Sequence, residues 1–187
     1  MTGAIPDLPV YLDHGASTPV DPEVLDAMLP FFGERFANAS SLYGIAQNAR
    51  SAVERAREQI ASAINAEPAD IYFTSGGTEA DNWAIKGTVS AGTSTKKRIV
   101  CSAIEHHAIL DTCLGLTQYG YTADIAGVDS EGRVVTADIE PLINDDTAIV
   151  SVMHANNEVG TVQPVDEIAS LCFARGIPFH MDAVQSL

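Results

Sequence analysis

The first third of the chain has the hydrophobic spacing of helices. Asp21, Pro22 and Glu23 have the pattern of an N-cap, an N1 proline and an acidic first turn, which predicts a helix that ends near Phe32. Apolar residues then recur every three or four positions and predict a longer helix over residues 45–65. A short run of strand-forming residues at 10–12 predicts one strand before these helices.

Beyond residue 70, short apolar runs alternate with amphipathic segments. The apolar runs predict strands at 71–74, 98–101, 121–126, 148–153 and 177–181. The segments between them predict helices at 78–89, 107–119 and 165–174, with a shorter one inside 134–143. This alternation is typical of βαβ units and predicts an α/β fold of three layers, in which helices flank a mostly parallel sheet. Ligands of such sheets bind just beyond the carboxyl ends of the strands.

The loop after the first of these sheet strands leads glycines and a hydroxyl directly into a helix. Gly76, Gly77 and Thr78 place backbone N–H groups at the positive end of the helix dipole, where they suit a phosphate. A plain capped turn with Thr78 as N-cap is the alternative interpretation. The Walker A and G-x-G-x-x-G patterns are both missing, which argues against a nucleotide-binding protein.

Three further strand ends carry polar side chains. His106 and His107 follow the second sheet strand, where one of the two imidazoles either faces a ligand ring or is only a helix cap or a surface residue. Asn156 and Asn157 belong to a polar turn after the strand at 148–153, where they either present amide groups to a ligand or only form the turn. Asp182 ends the last strand, where an unpaired carboxylate is costly. A phosphate cradle, an imidazole, a pair of amides and a carboxylate together fit pyridoxal 5′-phosphate.

The composition narrows the classes of partner. Among 187 residues there are 10 Lys and Arg against 25 Asp and Glu, a formal net charge of −15. This charge argues against nucleic acid or an anionic membrane surface as the main partner, because both select clustered cations. Three cysteines without C-x-x-C spacing predict buried thiols, with no disulfide and no metal site. Residues 1–9 have no leader pattern and no long apolar stretch follows, which predicts a cytoplasmic protein.

Five segments together resemble the cysteine desulfurases of the iron–sulfur-assembly and nitrogen-fixation type, which belong to the class V pyridoxal-phosphate enzymes. They are residues 11–19, 74–82, 104–110, 154–164 and 180–186. The fourth contains His-x-Asn-Asn-Glu-x-Gly-Thr-x-Gln-Pro, which favours desulfurases over relatives that act on serine-glyoxylate, kynurenine or selenocysteine. The resemblance implies the large domain of a fold type I enzyme and the removal of sulfur from L-cysteine, giving L-alanine and an enzyme persulfide.

The resemblance also assigns cofactor contacts to six residues. They are Gly77 and Thr78 at the phosphate, His106 over the ring, Asn157 facing the ring and the substrate carboxylate, Asp182 at the protonated ring nitrogen, and Gln185 at the phenolic oxygen. His106 is in addition the expected catalytic residue. A homodimer and a sulfur-acceptor or scaffold protein are the partners that the resemblance implies.

The chain departs from the family pattern in two motifs and in length. The segment 38–43 lacks the family's proline and histidine, and His14-Gly15 replaces its more usual residue pairs. The family's chains are much longer, and neither the three lysines nor the three cysteines of this sequence match its Schiff-base lysine or its persulfide cysteine. Residues 1–187 are therefore expected to hold an N-terminal arm and the first part of the large domain, without the small C-terminal domain.

That expectation has a consequence for activity, and two alternative interpretations stand beside it. The chain by itself is expected to be inactive and to need a C-terminal half as a complement. A non-catalytic dimerisation or regulatory module with the same fold is the alternative from a different functional class. Another class V pyridoxal-phosphate enzyme is the remaining alternative.

Overall fold

The computed structural model describes residues 10–91 and 95–187. The chain divides into two units, Met1–Phe73 and Thr74–Leu187. The predicted lack of a leader concerns residues 1–9, which lie outside the described residues. Within the described ranges, no helix has the length and apolar character needed to span a membrane.

The first unit is built on two helices, as its hydrophobic spacing predicts. Helix α1 covers Pro22–Met28 and continues as a 3-10 turn, and helix α2 covers Gly44–Ile64. The predicted N-cap is confirmed, because the Asp21 side chain accepts a hydrogen bond of 2.8 Å from the N–H of Glu23. Asn65 ends α2 in the left-handed conformation, with φ of 55°.

Two predicted strands of this first part are wrong. Residues 10–12 form no strand, and the side chains of Val10 and Leu12 are exposed. Residues 71–74 also form no strand, although Ile71 is buried. The Ile71 carbonyl accepts a hydrogen bond from the Arg57 guanidinium, so this acceptor is used by a side chain instead of a neighbouring strand. A short β-prone run becomes a strand only where a second strand offers its backbone.

The second unit contains a four-stranded parallel sheet, which confirms the predicted α/β architecture. The strands are β1 at Arg98–Ser102, β2 at Thr122–Ala126, β3 at Thr147–Ser151 and β4 at Phe179–His180. Their spatial order is β2-β1-β3-β4 and every pairing is parallel. The helices are α3 at Gly77–Ser90, α4 at His107–Leu116, α5 at Thr136–Ile139 and α6 at Val165–Ala174.

The alternation of side chains along the strands produces two cores, one on each face of the sheet. Ile99 and Ile149 pack with apolar residues of α3 and α4 on one face. Val100 and Val150 pack with those of α5 and α6 on the other. All five residues of β3 are buried, as expected for a central strand covered on both faces. This three-layer packing holds the carboxyl ends of the strands, and the loops that follow them, at one edge of the sheet.

Candidate functional site

The start of α3 offers unpaired backbone donors. Gly76 is the N-cap and provides no side-chain cap, so the alternative in which Thr78 caps the helix is wrong. The first helical hydrogen bond runs from the N–H of Ala80 to the Gly76 carbonyl at 3.1 Å. Among the described residues, none accepts a hydrogen bond from the N–H groups of residues 77–79. With the exposed hydroxyl of Thr78, these groups are suited to an anion such as phosphate.

Glu79 braces the loop before α3 and leaves the donors of the first turn open. Its carboxylate accepts hydrogen bonds from the Ser75 N–H at 2.6 Å and from the Ser75 hydroxyl at 2.7 Å. These two hydrogen bonds lower the pKa of Glu79 below its ordinary value. The carboxylate therefore turns back to the loop and does not occupy the space above the helix start.

Gly77 brings this cradle against the segment that follows β4. A Cβ atom at Gly77 would lie 2.9 Å from Cγ2 of Val184, closer than Cβ atoms normally come to another atom, so Val184 would have to shift. The absence of a side chain at residue 77 thus leaves room for Val184 beside the start of α3. Two parts of the predicted site, far apart in sequence, meet at this contact.

Asp182 is buried, with 8% of its surface exposed. Its Oδ1 atom accepts a hydrogen bond from the N–H of Val184 at 3.0 Å. Its carbonyl accepts one from the N–H of His154 at 2.9 Å, which fixes the residue beside the end of β3. No lysine or arginine of the described ranges forms a salt bridge with it. A buried carboxylate in this situation suits a cationic ligand atom, such as a protonated ring nitrogen.

His106 caps α4, as one of its two interpretations predicted. Its Nδ1 atom accepts a hydrogen bond of 3.1 Å from the N–H of Ala108. This contact fixes the ring and leaves Nε2 to carry the proton of the neutral imidazole. The residue remains exposed, and it lines, together with Thr78, a cleft of about 970 Å³ between α3 and α4. The cap therefore leaves the imidazole accessible to a ligand at this edge.

The other two predicted site residues lie on turns at the same edge of the sheet. Asn156, not Asn157, holds the turn after β3: its amide donates to the Ile104 carbonyl at 2.9 Å and its oxygen accepts from the N–H groups of Glu158 and Val159. The side chain of Asn157 is half-buried and has no hydrogen-bond partner among the residues described. Gln185 is exposed in the turn that follows Asp182.

Sequence reasoning missed a group of buried polar residues beneath this edge. They are the buried Asp81, Ser102, Glu105 and Ser151, together with the half-buried His180. Burial is the main cause that raises the pKa of Asp81 to about 6, and the nearby Asp182 adds to it. Burial likewise raises the pKa of Glu105 to about 7, against the hydrogen bonds that it accepts. The only signal in the sequence is that two strands end on serine, a polar residue where a buried strand calls for apolar ones.

The three cysteines are buried and free, as predicted. A contact with Cys113 and burial raise the pKa of the Cys101 thiol far above its ordinary value. Burial raises the pKa of Cys172 to about 11. All three thiols therefore have the environment of structural residues rather than of nucleophiles.

Comparison with known proteins places this fold and this edge in one family. The family model described as aminotransferase class-V matches residues 10–187. The chain belongs to that family.

The individual relatives of this chain have narrower descriptions than the family as a whole. The chain is 50% identical to a cysteine desulfurase IscS of Clostridium botulinum over 178 residues, 95% of this chain and 45% of the relative. It is 47% identical to a cysteine desulfurase IscS of Methanosarcina thermophila, again over 95% of this chain and 44% of the relative. The chain thus spans about half the length of the curated relatives that it matches.

Solved structures agree with the fold. A NifS-like protein superposes with a TM-score of 0.92 at 37% identity, covering 96% of this chain and 50% of that one. A structure of SspA in complex with cysteine superposes with a TM-score of 0.90 at 39% identity, covering 94% of this chain and 51% of that one. These matches confirm the sequence-based prediction of a fold type I architecture, of which this chain carries a part.

Proposed function

We propose that residues 1–187 are the N-terminal arm and the first part of the large domain of a cysteine desulfurase that uses pyridoxal 5′-phosphate. The observation that carries the proposal is the meeting of two complementary groups at Gly77. Unpaired N–H groups at the start of α3 suit the phosphate, and the buried Asp182, which forms no salt bridge with a lysine or arginine of the described ranges, suits the ring nitrogen. The similarity to cysteine desulfurases over 95% of the chain supports the choice of reaction.

Each of the six predicted residues has a part in this proposal. Gly77 and Thr78 bind the phosphate, and the exposed imidazole of His106 lies against the ring and moves a proton at Nε2. Asp182 keeps the ring nitrogen protonated. Bound pyridoxal phosphate supplies an electron-withdrawing ring for chemistry at the carbon next to the amino group. Gln185 donates to the phenolic oxygen, and Asn157, whose amide has no other described partner, binds the substrate carboxylate.

The proposal includes the partners that the family resemblance implies. The substrate is L-cysteine, the products are L-alanine and a persulfide, and the persulfide sulfur passes to an acceptor or scaffold protein for iron–sulfur cluster assembly. The lysine and the cysteine of the reaction come from outside residues 1–187, either from the same gene product or from a second polypeptide. A homodimer and a cytoplasmic location belong to the same proposal.

The test is carried out on the gene product that contains these residues, in its native length. L-Alanine and sulfide are measured after addition of L-cysteine, with and without pyridoxal phosphate, and with a separately expressed C-terminal half of the Clostridium botulinum relative. Formation of both products, lost in Asp182→Asn, supports the proposal. Cofactor binding without turnover of cysteine contradicts it: turnover of kynurenine or serine-glyoxylate would then identify another class V enzyme. Dimerisation without turnover of any of these would identify a regulatory module.

A further inference from the structure

A path of polar side chains crosses the second unit beneath the candidate site. None of the residues in this path belongs to the cofactor contacts proposed above. It begins at Glu105, which has 5% of its surface exposed. The Oε1 atom of this carboxyl accepts hydrogen bonds from the Ser102 hydroxyl and from the N–H of Met153, the latter at 2.8 Å. Its Oε2 atom lies 3.3 Å from the hydroxyl of Ser151. Glu105 therefore joins the ends of β1 and β3.

The path continues from Ser151 to His180. The parallel register of β3 and β4 places these two residues side by side. The Ser151 hydroxyl oxygen is 2.9 Å from Nδ1 of His180. A hydroxyl has one proton, so Ser151 donates either to Glu105 or to His180 and accepts from the other.

The path ends at Asp81 on α3. The Nε2 atom of His180 is 3.6 Å from Oδ1 of Asp81, and both side chains are largely buried, with 15% and 7% exposed. A carboxyl group thus stands at each end, with one hydroxyl and one imidazole between them. Four side chains from the β1–α4 loop, β3, β4 and α3 thus follow one another, and the last contact, at 3.6 Å, has an ion-pair distance slightly longer than a hydrogen bond.

Two proton arrangements satisfy every atom of this path once Asp81 and His180 approach one another by a few tenths of an ångström. In the first, Asp81 is protonated and donates to Nε2, His180 donates from Nδ1 to Ser151, and Ser151 donates to an ionised Glu105. In the second, Glu105 is protonated and donates to Ser151, Ser151 donates to Nδ1, and His180 donates from Nε2 to an ionised Asp81. Both contain the same number of protons and one negative charge, and three concerted transfers convert one into the other.

We propose that Asp81, His180, Ser151 and Glu105 form a buried relay that shares one proton between its two carboxyl groups. They act as positioning residues behind Asp182 and His106. This role in the reaction rests on the proposed function, whereas the relay itself rests on the contacts of the chain's own side chains.

The electrostatics of the site favour a single proton over none or two. Burial raises the pKa of both carboxyls, and the negative charge of Asp182 adds to the rise at each. Two buried anions beside Asp182 would therefore repel one another, and the relay keeps one. Burial lowers the pKa of His180 against the field of Asp182, so the imidazole stays neutral and its tautomer reports which carboxyl holds the proton. The charge of His106 also acts on Asp81 and favours its ionised form.

The test follows the tautomer of His180 by NMR in the native-length gene product labelled with ¹⁵N-histidine. The His180→Gln variant identifies the signals of His180. In the Glu105→Gln variant, the glutamine carbonyl must accept the hydrogen bonds from the Ser102 hydroxyl and the Met153 N–H. Its NH₂ group then faces Ser151. We expect this variant to hold His180 with the proton on Nε2. Asp81→Asn at pH 8 leaves Glu105 ionised, and we expect the proton on Nδ1. The unmodified protein should show averaged ¹⁵N shifts between these limits.

Two controls complete the experiment. Asp111→Asn changes a carboxylate that faces His107 on the exposed side of α4, at 3.8 Å, and must leave the His180 signals unchanged. Ser151→Ala interrupts the path, so Glu105→Gln made in that background must no longer change the tautomer.

Specific results overturn the relay. One is the same tautomer in the unmodified protein, Glu105→Gln and Asp81→Asn, and another is a doubly protonated His180 at pH 7. If a variant does not fold, the pH dependence of the unmodified protein decides: a single tautomer from pH 5 to 9 contradicts a shared proton. Desulfurase activity is measured separately, so a tautomer response without activity removes the proposed function and keeps the relay.

Discussion

Gly77 has a defined task in this molecule, because its missing side chain lets two distant segments touch. A Cβ atom there would meet Cγ2 of Val184 at 2.9 Å. The residue lies in the first turn of α3, where its backbone conformation is ordinary. The requirement for glycine is therefore one of space, and it follows from the position of the segment after β4.

We predict that Gly77→Ala lowers the free energy of unfolding by about 1 kcal/mol, because Val184 must move to admit the methyl group. The same variant is expected to weaken the binding of pyridoxal phosphate about tenfold if the cradle shifts by the equivalent energy. Denaturant unfolding and fluorescence titration measure the two effects. In the Val184→Ala background the contact is gone, and the added methyl group should cost nothing. Equal losses in both backgrounds would contradict the contact as the cause.

The buried thiols lead to a second prediction at the scale of residues. The raised pKa values of Cys101 and Cys172 keep their thiolate fraction low, and all three cysteines are buried. We expect a thiol reagent at pH 8 to label Cys101, Cys113 and Cys172 only after unfolding in guanidinium, as followed by peptide mass spectrometry. Rapid labelling of any of them in the folded protein would contradict this assignment as structural thiols.

The strand ends connect through side chains, not only through the sheet. Glu105 accepts hydrogen bonds from residues at the ends of β1 and β3, and it directly precedes His106, the cap of α4. The position of the imidazole at the candidate site therefore depends on a carboxyl group that is itself buried. Its ionisation should be visible in the stability of the fold.

Glu105→Gln is expected to gain stability relative to the unmodified protein as the pH rises from 5 to 8. The pKa of Glu105 is raised to about 7 in the folded protein. The folded state therefore holds more protons than the unfolded state in this window, and stability decreases as the pH rises through it. Glutamine does not ionise, so we expect the difference between the two proteins to grow by about 2 kcal/mol, as measured by urea unfolding at each pH.

Glu79→Gln is the matched control for that experiment. The pKa of Glu79 is lowered, and the residue is exposed, so its contribution is present above its ordinary pKa and is lost only when the pH falls through the lowered value. Its stability difference from the unmodified protein should stay constant between pH 5 and 8. A change of the same size in both variants would assign the effect to general charge and not to the buried carboxyl.

At the scale of the whole molecule, a family fold occurs here in a chain that spans about half the length of its relatives. The second unit by itself contains the parallel sheet, both cores and the six predicted site residues. A ligand that binds to these site residues should therefore raise the free energy of unfolding of the molecule that carries them.

We predict that pyridoxal 5′-phosphate at 100 times its Kd raises the free energy of unfolding by about 2.7 kcal/mol. Pyridoxal without the phosphate is the matched ligand, and at the same concentration it should stabilise less, because the N–H groups of α3 have no anion to bind. Asp182→Asn should weaken both ligands alike. Differential scanning calorimetry with each ligand measures the effect, and equal stabilisation by the two would contradict the phosphate cradle.

Hydrophobic periodicity determined most of the second unit. The predicted segments at 121–126, 177–181 and 165–174 contain the observed strands β2 and β4 and the helix α6, and the segment at 98–101 covers all of β1 except Ser102. Alternation of side chains follows from backbone geometry, which is why the pattern in the chain carries this information. The two wrongly predicted strands, at 10–12 and 71–74, are short runs of strand-forming residues. Local residue preferences do not show whether a second strand lies beside such a run.

Periodicity and motifs along the chain were enough to predict the α/β class, the family resemblance and the candidate residues at the edge of the sheet. The folded structure was needed to show that Gly76 caps α3 and leaves its donors open, and that Asp182 has no lysine or arginine partner in the described ranges. It alone joined Glu105, Ser151, His180 and Asp81 into one path. The physical reason is that burial and pairing depend on residues up to a hundred positions apart, which periodicity and local preference do not contain.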